Sequence, residues 1–449
     1  MMIDPAAIHL TTIFSHPQLR RRLGWLLCWH IAACCVSLSY AAASFPGIVE
    51  FDKANVLIAI LRTLPFAALS VVFIVSRFSF GYFVGFYFYT MILGYLWLIE
   101  FSLLPYNHSL ATLSIFASAL AFLAPALLIT SPVRARLSLS VGGFDLLLSA
   151  ILVFAAISIA AGAFYNFKLA GLSEIYRFRE ELAFPAAVRY AHGITANTLL
   201  PFAFAGLFLR GSLLRAGIAL VMLLLLYPVT LTKLTLFAPF WLLFLAALSR
   251  SIEARSAVIL SLALPISIGI AALLLSRAGL VPAGWAAQYY GIVNSRMVAM
   301  PSIALEVYNN FFSTHPFTYF CQINVVKLVI DCPYSEQLSI LMKVYDQGAF
   351  NASLFATEGI ASVGPQFAPL SALGCGVVIA IANRLSSGLP WRFVLLSGGM
   401  LPQVFLNVPL STNLLSNGAA ILFLLWFVTP RTIFDGENRP TSQIAASTT

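Results

Sequence analysis

Residues 219–226 read Ala-Leu-Val-Met-Leu-Leu-Leu-Leu, an apolar run without a charged side chain. The run does not alternate polar and apolar residues, as the strands of a transmembrane barrel do. Several longer stretches of this kind each supply the roughly 20 apolar residues that cross a bilayer as a helix. The fold class predicted from them is all-α: a polytopic integral membrane protein with about 12 transmembrane helices and two large outer loops.

The composition of the 449-residue chain agrees with this prediction, because 60% of its residues are hydrophobic and 9% are charged. Soluble globular proteins are about 45–50% apolar and about 25% charged. The low charge excludes a water-soluble protein and an intrinsically disordered one. We interpret the formal net charge of +9 through membrane topology and not through nucleic-acid binding, since cytoplasmic loops collect Lys and Arg.

The chain is predicted to be one membrane domain over residues 1–449. Its spans are predicted at residues 23–44, 55–75, 79–103, 110–130, 143–164, 194–209, 214–231, 234–249, 256–276, 366–383, 391–409 and 412–429. Arginines then collect in the cytoplasmic segments, which places both termini in the cytoplasm. The two large outer loops are residues 165–193 and 277–366, and residues 435–449 are predicted to be a disordered tail.

Two cysteines, Cys321 and Cys332, both fall in the second outer loop. An outer loop faces an oxidising compartment, so a disulfide between them is predicted, with two free buried thiols as the alternative. The sequence contains no CxxC or HExxH pattern, and no Walker A loop or GxGxxG fingerprint. We therefore expect no metal and no cofactor.

Basic residues near the predicted outer face are the first candidate site residues. Arg177 and Arg189 lie in the first outer loop, and the planar guanidinium matches phosphate oxygens. Lys233 follows Thr230-Leu231-Thr232 between two apolar spans, where a lysine usually faces a cavity or a partner. The alternatives are arginines bound to lipid headgroups and a lysine that reaches the interface by snorkelling.

The second outer loop supplies the remaining candidates. Arg296 precedes a predicted helix over residues 301–312, and His315 follows that helix amid an aromatic cluster at residues 311–320. Glu358 lies in an apolar segment of small residues and is the candidate general base, or a carboxylate that orients the cations. A structural ion pair is the alternative for Glu358, and Glu50 with Asp52 is a rival acidic site.

Four stretches resemble a known family. They are the basic loop ending at Arg189-Tyr190 before residues 199–201, the Thr-Leu-Thr-Lys element ending at Lys233, Arg296 shortly before a proline, and residues 351–364, which carry Asn351, Glu358 and Gly364. In these stretches, and in its topology over nearly the whole chain, the protein resembles the bacterial O-antigen polymerases of the Wzy type, which polymerise oligosaccharide repeat units.

The resemblance implies a GT-C-like membrane glycosyltransferase of the bacterial inner membrane. Its partners would be a polyprenyl-diphosphate-linked glycan donor and acceptor, the lipid bilayer and, in some systems, a chain-length regulator protein. Glu358 would be catalytic. The substrate-binding residues would be Arg177, Arg189, Lys233, Arg296, His315 and Asn351.

Two alternatives remain open at this point. An O-antigen ligase would use the same donor with a different acceptor, and a transporter or flippase of lipid-linked glycans would also carry charges within the membrane. Glycosyl transfer further predicts that Arg189, Lys233, Arg296 and Glu358 converge on one outward-facing cavity.

Overall fold

The computed structural model describes residues 17–133, 137–171, 174–180, 182–344, 350 and 353–434. These residues are 77% helical and form no β-strand, which confirms the predicted all-α class. Asn351 and the predicted disordered tail at residues 435–449 lie outside the described residues.

Ten helices in the described part of the chain are long and apolar enough to cross a membrane. Each coincides with one of the first ten predicted spans, so the chain is a multi-pass membrane protein. They are α1 (Pro17–Ser44), α2 (Lys53–Val75), α3 (Phe80–Phe101), α4 (His108–Leu128), α5 (Val141–Tyr165), α6 (Ala186–Leu209), α7 (Leu213–Thr230), α8 (Lys233–Ser251), α9 (Ala254–Arg277) and α10 (Phe355–Ser386).

The last two predicted spans, residues 391–409 and 412–429, are occupied by shorter helices. These run over Trp391–Ser397, Leu401–Phe405, Leu410–Leu415 and Ala419–Val428. Gly418, with φ of 78°, separates the last two of them, because its backbone conformation cannot continue an α-helix. The total of about 12 spans stays a prediction.

The chain divides into two compact units. The first unit comprises Met1–Leu128, Arg255–Val378 and Phe405–Pro409. At its centre every residue from Phe80 to Leu98 of α3 is buried, as expected for a helix that is apolar on all sides. Phe73 packs edge-on against Phe86 with ring centroids 5.3 Å apart. Such aromatic contacts hold α2 and α3 together.

The second unit comprises Ile129–Ala254, Ile379–Val404 and Leu410–Thr449. Helices α7 and α8 form a hairpin in it, and α7 also packs against α5 and α6. A two-pronged ion pair joins Arg210 to Asp145 of α5, with N–O distances of 2.5 and 3.0 Å. This pair fixes the end of α6 on α5, since both oxygens of the carboxylate are engaged.

The segment predicted as the second outer loop is largely helical. A continuous helical run covers Ala283–Tyr290, Gly291–Ala299 and Met300–Phe312 and is not among the ten apolar helices. Its last part confirms the helix predicted over residues 301–312. The helix Ile175–Glu180 lies within the first predicted outer loop. The placement of both segments outside the membrane stays a prediction.

Candidate functional site

Three segments of the described chain are π-helical: Thr195–Leu199, Gly291–Ala299 and Phe355–Ala361. Well under 1% of residues in globular proteins adopt this conformation, and it is frequent at functional sites. Arg189 shortly precedes the first segment, Arg296 lies in the second and Glu358 lies in the third. The unusual backbone therefore accompanies three of the candidate site residues.

Glu358 is placed in the first unit, where its side chain is only 6% exposed. The π-helical segment around it packs against the helix Met300–Phe312. Phe355, one turn earlier, packs against Phe88 and Phe122 at ring distances of 5.1 and 5.5 Å. The backbone carbonyl of Glu358 accepts a 2.6 Å hydrogen bond from the hydroxyl of Ser371. The carboxylate thus lies on a fixed backbone in largely apolar surroundings, away from bulk water.

The aromatic segment at residues 317–320 lies against the end of this π-helical segment. The amide of Tyr319 donates a 3.0 Å hydrogen bond to the carbonyl of Ser362. Gly364 has φ of 74°, and a Cβ atom there would lie 2.5 Å from the ring of Phe317. Glycine at this position therefore permits both the kink in α10 and the close approach of the aromatic ring.

His315 is held at the end of the helix Met300–Phe312. Its ring stacks on Phe311 with centroids 3.9 Å apart, and its Nδ1 lies 2.9 Å from the carbonyl oxygen of Phe311. These contacts satisfy a backbone group at the helix end, as a capping side chain does. His315 lies in the same unit as Glu358.

Arg296 is exposed on the π-helical segment Gly291–Ala299. Asn294 of the same segment is fully buried, and its side-chain amide donates to the hydroxyl of Ser37 at 3.0 Å and to the carbonyl of Ile266 at 2.9 Å. Asn294 therefore anchors the segment to α1 and α9, while Arg296 lies on the accessible side.

Lys233 is the first residue of α8 in the second unit and is half-buried. The hydroxyls of Thr230, Thr232 and Thr235 form a network beside it, with oxygen–oxygen distances of 3.1 Å from Thr230 to Thr232 and 2.8 Å from Thr232 to Thr235. A helix N-terminus carries a partial positive charge and free backbone N–H groups. This arrangement of an ammonium, hydroxyls and a helix N-terminus is suited to phosphate oxygens.

The first predicted outer loop packs on the turn that precedes Lys233. Ile175 of the helix Ile175–Glu180 forms one apolar cluster with Ala170, Tyr227 and Leu231. Arg177 of that helix is exposed, and its guanidinium carbon lies 5.8 Å from the ring centroid of Phe178. The structure therefore brings the helix of Arg177 to the α7–α8 turn.

Arg189 is exposed in the first turn of α6, in the same unit as Lys233. Arg296, His315 and Glu358 belong to the first unit. The convergence of Arg189, Lys233, Arg296 and Glu358 on one cavity stays a prediction.

One buried cluster was not predicted from the sequence. Glu306 is fully buried, and its Oε2 accepts a 2.5 Å hydrogen bond from the hydroxyl of Tyr106. The hydroxyl of Tyr95 lies 3.1 Å from that of Tyr106, and the amide of Asn309 donates to Tyr95 at 3.3 Å. Burial raises the pKa of Glu306 to about 7, against the lowering effect of the hydroxyls of Tyr106 and Ser102. The sequence carries one indication of this cluster: Glu306 is the sole acidic residue in the otherwise uncharged helix Met300–Phe312.

The predicted disulfide is confirmed. Cys321 and Cys332 are bonded, with their Cα atoms 5.3 Å apart, within the usual range for a disulfide. The alternative of two free thiols at these positions is therefore wrong. Cys28, Cys34, Cys35 and Cys375 are free cysteines.

The first unit thus carries a buried carboxylate and an exposed arginine on two π-helical segments. The second unit carries an exposed arginine shortly before a π-helical segment and a lysine at a helix N-terminus. Comparison with known proteins gives no match to this chain, whether among protein-family models, curated proteins or solved structures.

Proposed function

We propose that the protein polymerises polyprenyl-diphosphate-linked oligosaccharide repeat units into O-antigen or another surface polysaccharide, by glycosyl transfer on the periplasmic face of the bacterial inner membrane. The observation that carries this proposal is the coincidence of the three π-helical segments with three of the four stretches that resemble the polymerase family. Local backbone departures of this kind are frequent at functional sites in helical proteins.

The proposed topology has about 12 spans, cytoplasmic termini and both long loops in the periplasm. The bond between Cys321 and Cys332 supports this orientation, because disulfides persist in oxidising compartments such as the periplasm. The loops then present their basic residues on the side where lipid-linked repeat units would be joined.

In the proposed reaction, the diphosphate of the donor is the leaving group. Negative charge accumulates on its oxygens as the bond to the anomeric carbon breaks, and fixed cations stabilise that charge. Arg189, Lys233 and Arg296 are assigned this role, and Arg177 binds the same lipid-linked substrate from the first loop. No metal ion is needed for this charge stabilisation.

Glu358 is assigned the role of general base. A hydroxyl of the acceptor sugar attacks the anomeric carbon of the donor glycan, and the bond from that carbon to the diphosphate oxygen breaks. The hydroxyl proton passes to the carboxylate of Glu358, and the diphosphate leaves with the bonding electron pair. The low exposure of Glu358 supports this role, since a general base works best when water does not compete for the acceptor position.

The remaining candidates are assigned to sugar binding. Phe317 and Tyr319 present aromatic rings at the end of the Glu358 segment, and such rings can stack on sugar faces. His315 lies at the base of the same aromatic segment and Asn351 precedes Glu358 in the sequence.

The test is the glycan profile of a strain in which the chromosomal gene is deleted and variants are supplied in its place. Glu358→Gln is expected to lower polymerisation by about 10²–10⁴-fold, the usual contribution of a general base. Arg189→Lys is expected to fail as well, because lysine lacks the planar fork. Glu336→Gln is the matched control, since Glu336 is an exposed acid of the same long loop.

Single-repeat caps in place of long chains, with unchanged protein level, would support the proposal. Complete absence of transferred glycan would indicate a ligase. Uptake or flipping of labelled lipid-linked glycan by the purified protein in liposomes would indicate a transporter or flippase.

A further inference from the structure

The disulfide between Cys321 and Cys332 closes a short loop of residues 321–332, here called the disulfide loop. Three of its aliphatic side chains point away from the protein: Val325 is 72% exposed, and Leu328 and Val329 are each 85% exposed. A single turn of 3₁₀-helix over Val326–Leu328 forms part of this surface. Soluble proteins rarely leave such a group of apolar side chains together in water unless it meets a partner.

The base of the disulfide loop is fixed beside the kink of the membrane helix α10. Tyr319, two residues before the loop, donates its amide to the carbonyl of Ser362, beside the kink of α10 at Gly364. A helix needs about 20 residues to cross the hydrocarbon core, which residues 365–386 supply. We therefore place the kink, and with it the base of the loop, at the level of the lipid headgroups.

The exposed apolar side of α10 begins at the kink beside which the disulfide loop is anchored. Phe367 and Leu370, 62% and 69% exposed, follow the kink at the spacing of one helix face. The half-buried Phe317 packs on Gly364 at the kink, and the exposed Tyr319 lies two residues further along the chain towards the loop. The lipid contact that α10 requires as a membrane helix thus begins beside the anchored base of the disulfide loop.

The charges of the disulfide loop are balanced. Lys327 and Asp331 are both exposed, and the loop has no other charged side chain. Transfer of the apolar side chains out of water, and not attraction to anionic lipid, would then drive insertion of the loop into the bilayer. The ammonium group of Lys327 would reach the headgroups.

We infer that the disulfide loop inserts Val325, Leu328 and Val329 into the interfacial layer of the bilayer that α10 crosses, and so anchors the aromatic segment at residues 317–320 to the membrane surface. The inference does not depend on the proposed glycosyl transfer, because it rests on the exposed side chains, the position of Ser362 and the lipid-facing side of α10.

The wild-type protein, reconstituted in phosphatidylcholine vesicles, tests this with an apolar photoactivated carbene probe dissolved in the bilayer. Mass spectrometry then compares labelling of residues 322–331 with that of the neighbouring residues 333–337, and α10 serves as the positive control. Labelling of the disulfide loop is expected to be several-fold higher than that of residues 333–337, and unchanged when phosphatidylglycerol is added.

A variant with Val325→Asn, Leu328→Asn and Val329→Asn is expected to lose loop labelling while α10 remains labelled. Equal labelling of the loop and of residues 333–337 in the wild type would overturn the inference. Labelling that requires anionic lipid would also overturn the inference, because the loop would then bind a charged surface. Labelling that appears only after polyprenyl diphosphate is added would overturn it as well, because the loop would then bind a substrate lipid. If the variant lost α10 labelling as well, it would not be folded in the membrane. The comparison of residues 322–331 with residues 333–337 in the wild-type protein would then decide for or against insertion of the loop.

Discussion

The hydroxyl of Tyr106 donates a 2.5 Å hydrogen bond to the buried carboxyl group of Glu306, 200 positions later in the chain. Tyr106 belongs to the connection between α3 and α4, and Glu306 to the helix Met300–Phe312. The bond therefore fixes that helix against the ends of two membrane helices, and the helix in turn packs against the π-helical segment of Glu358.

The first prediction concerns pH. The pKa of Glu306 is raised from 4.5 to about 7 in the folded protein, so the folded state holds a proton that the unfolded state has released between these values. Stability is therefore expected to fall as pH rises from about 4.5 to about 7, by about 3 kcal/mol in total, and to stay low above that range. Thermal unfolding in detergent across this pH range measures the effect.

Glu306→Gln should remove most of this pH dependence, whereas the exposed control Glu336→Gln should retain it. The same decline with pH in Glu306→Gln as in the wild type would contradict the assignment to Glu306.

The second prediction concerns the donor to this carboxyl group. Tyr106→Phe removes the hydroxyl and leaves Oε2 of Glu306 without that bond, which should cost about 1–3 kcal/mol of unfolding free energy. The pKa of Glu306 should also rise further, since a hydroxyl donor favours the charged form. Tyr165→Phe, at an exposed tyrosine, should change neither thermal unfolding nor its pH dependence; equal effects of both substitutions would argue against the bond.

The third prediction concerns the kink in α10. Gly364 has φ of 74° and ψ of 170°, a backbone region that is essentially restricted to glycine. Gly364→Ala should destabilise the protein by about 1–3 kcal/mol and displace Phe317 from the kink. Gly374→Ala in the same helix is the matched control, because a Cβ there meets nothing within 4 Å. Thermal unfolding and the glycan profile are measured for both variants. Equal stability and equal glycan profiles of Gly364→Ala and Gly374→Ala would contradict the prediction.

The fourth prediction concerns the disulfide. Cys332→Ser opens the disulfide loop and should cost at most about 3 kcal/mol in the chain-entropy model. Proteolysis should then begin within residues 322–331 while the membrane helices stay protected. Cys28→Ser, at an exposed free cysteine, should leave the proteolysis pattern of the wild type. Free thiols at both positions in non-reduced peptides would exclude the bond.

The fifth prediction concerns topology. Cysteines introduced at the exposed positions Ser335 and Ser251 should react with a membrane-impermeant maleimide from opposite sides of the membrane, Ser335 from outside. Reaction of Ser335→Cys from the cytoplasmic side would reject the topology and the proposed function together.

The ten long helices could be predicted from the sequence because each is decided by a local run of apolar residues. The region after residue 390 could not be predicted in the same way. Its hydropathy is that of two spans, but the backbone turn at Gly418 depends on a conformation that composition does not encode.

The π-helical segments were beyond prediction for a related reason. An α- and a π-helix have the same composition, and distant anchors select between them, such as the bond from Asn294 to Ser37, 257 positions away. The disulfide could be predicted because both cysteines share one short segment. Glu306 and Tyr106 could not be paired from the sequence, since the fold alone brings them together.

The π-helical segment Gly291–Ala299 has a consequence for chain length. Hydrogen bonds from residue i to i+5 take up one residue more per turn than those of an α-helix, so the segment behaves as an insertion within a helix. Loss of one residue just after Arg296 would allow regular winding and would leave the upstream side chains facing nearly the same way relative to Met300–Phe312, because the wide turns absorb the extra residue. A deletion in a regular α-helix instead rotates one end by about 100° relative to the other. The segment around Arg296 is therefore a place where the chain can change length while the buried face that carries Glu306 stays in register.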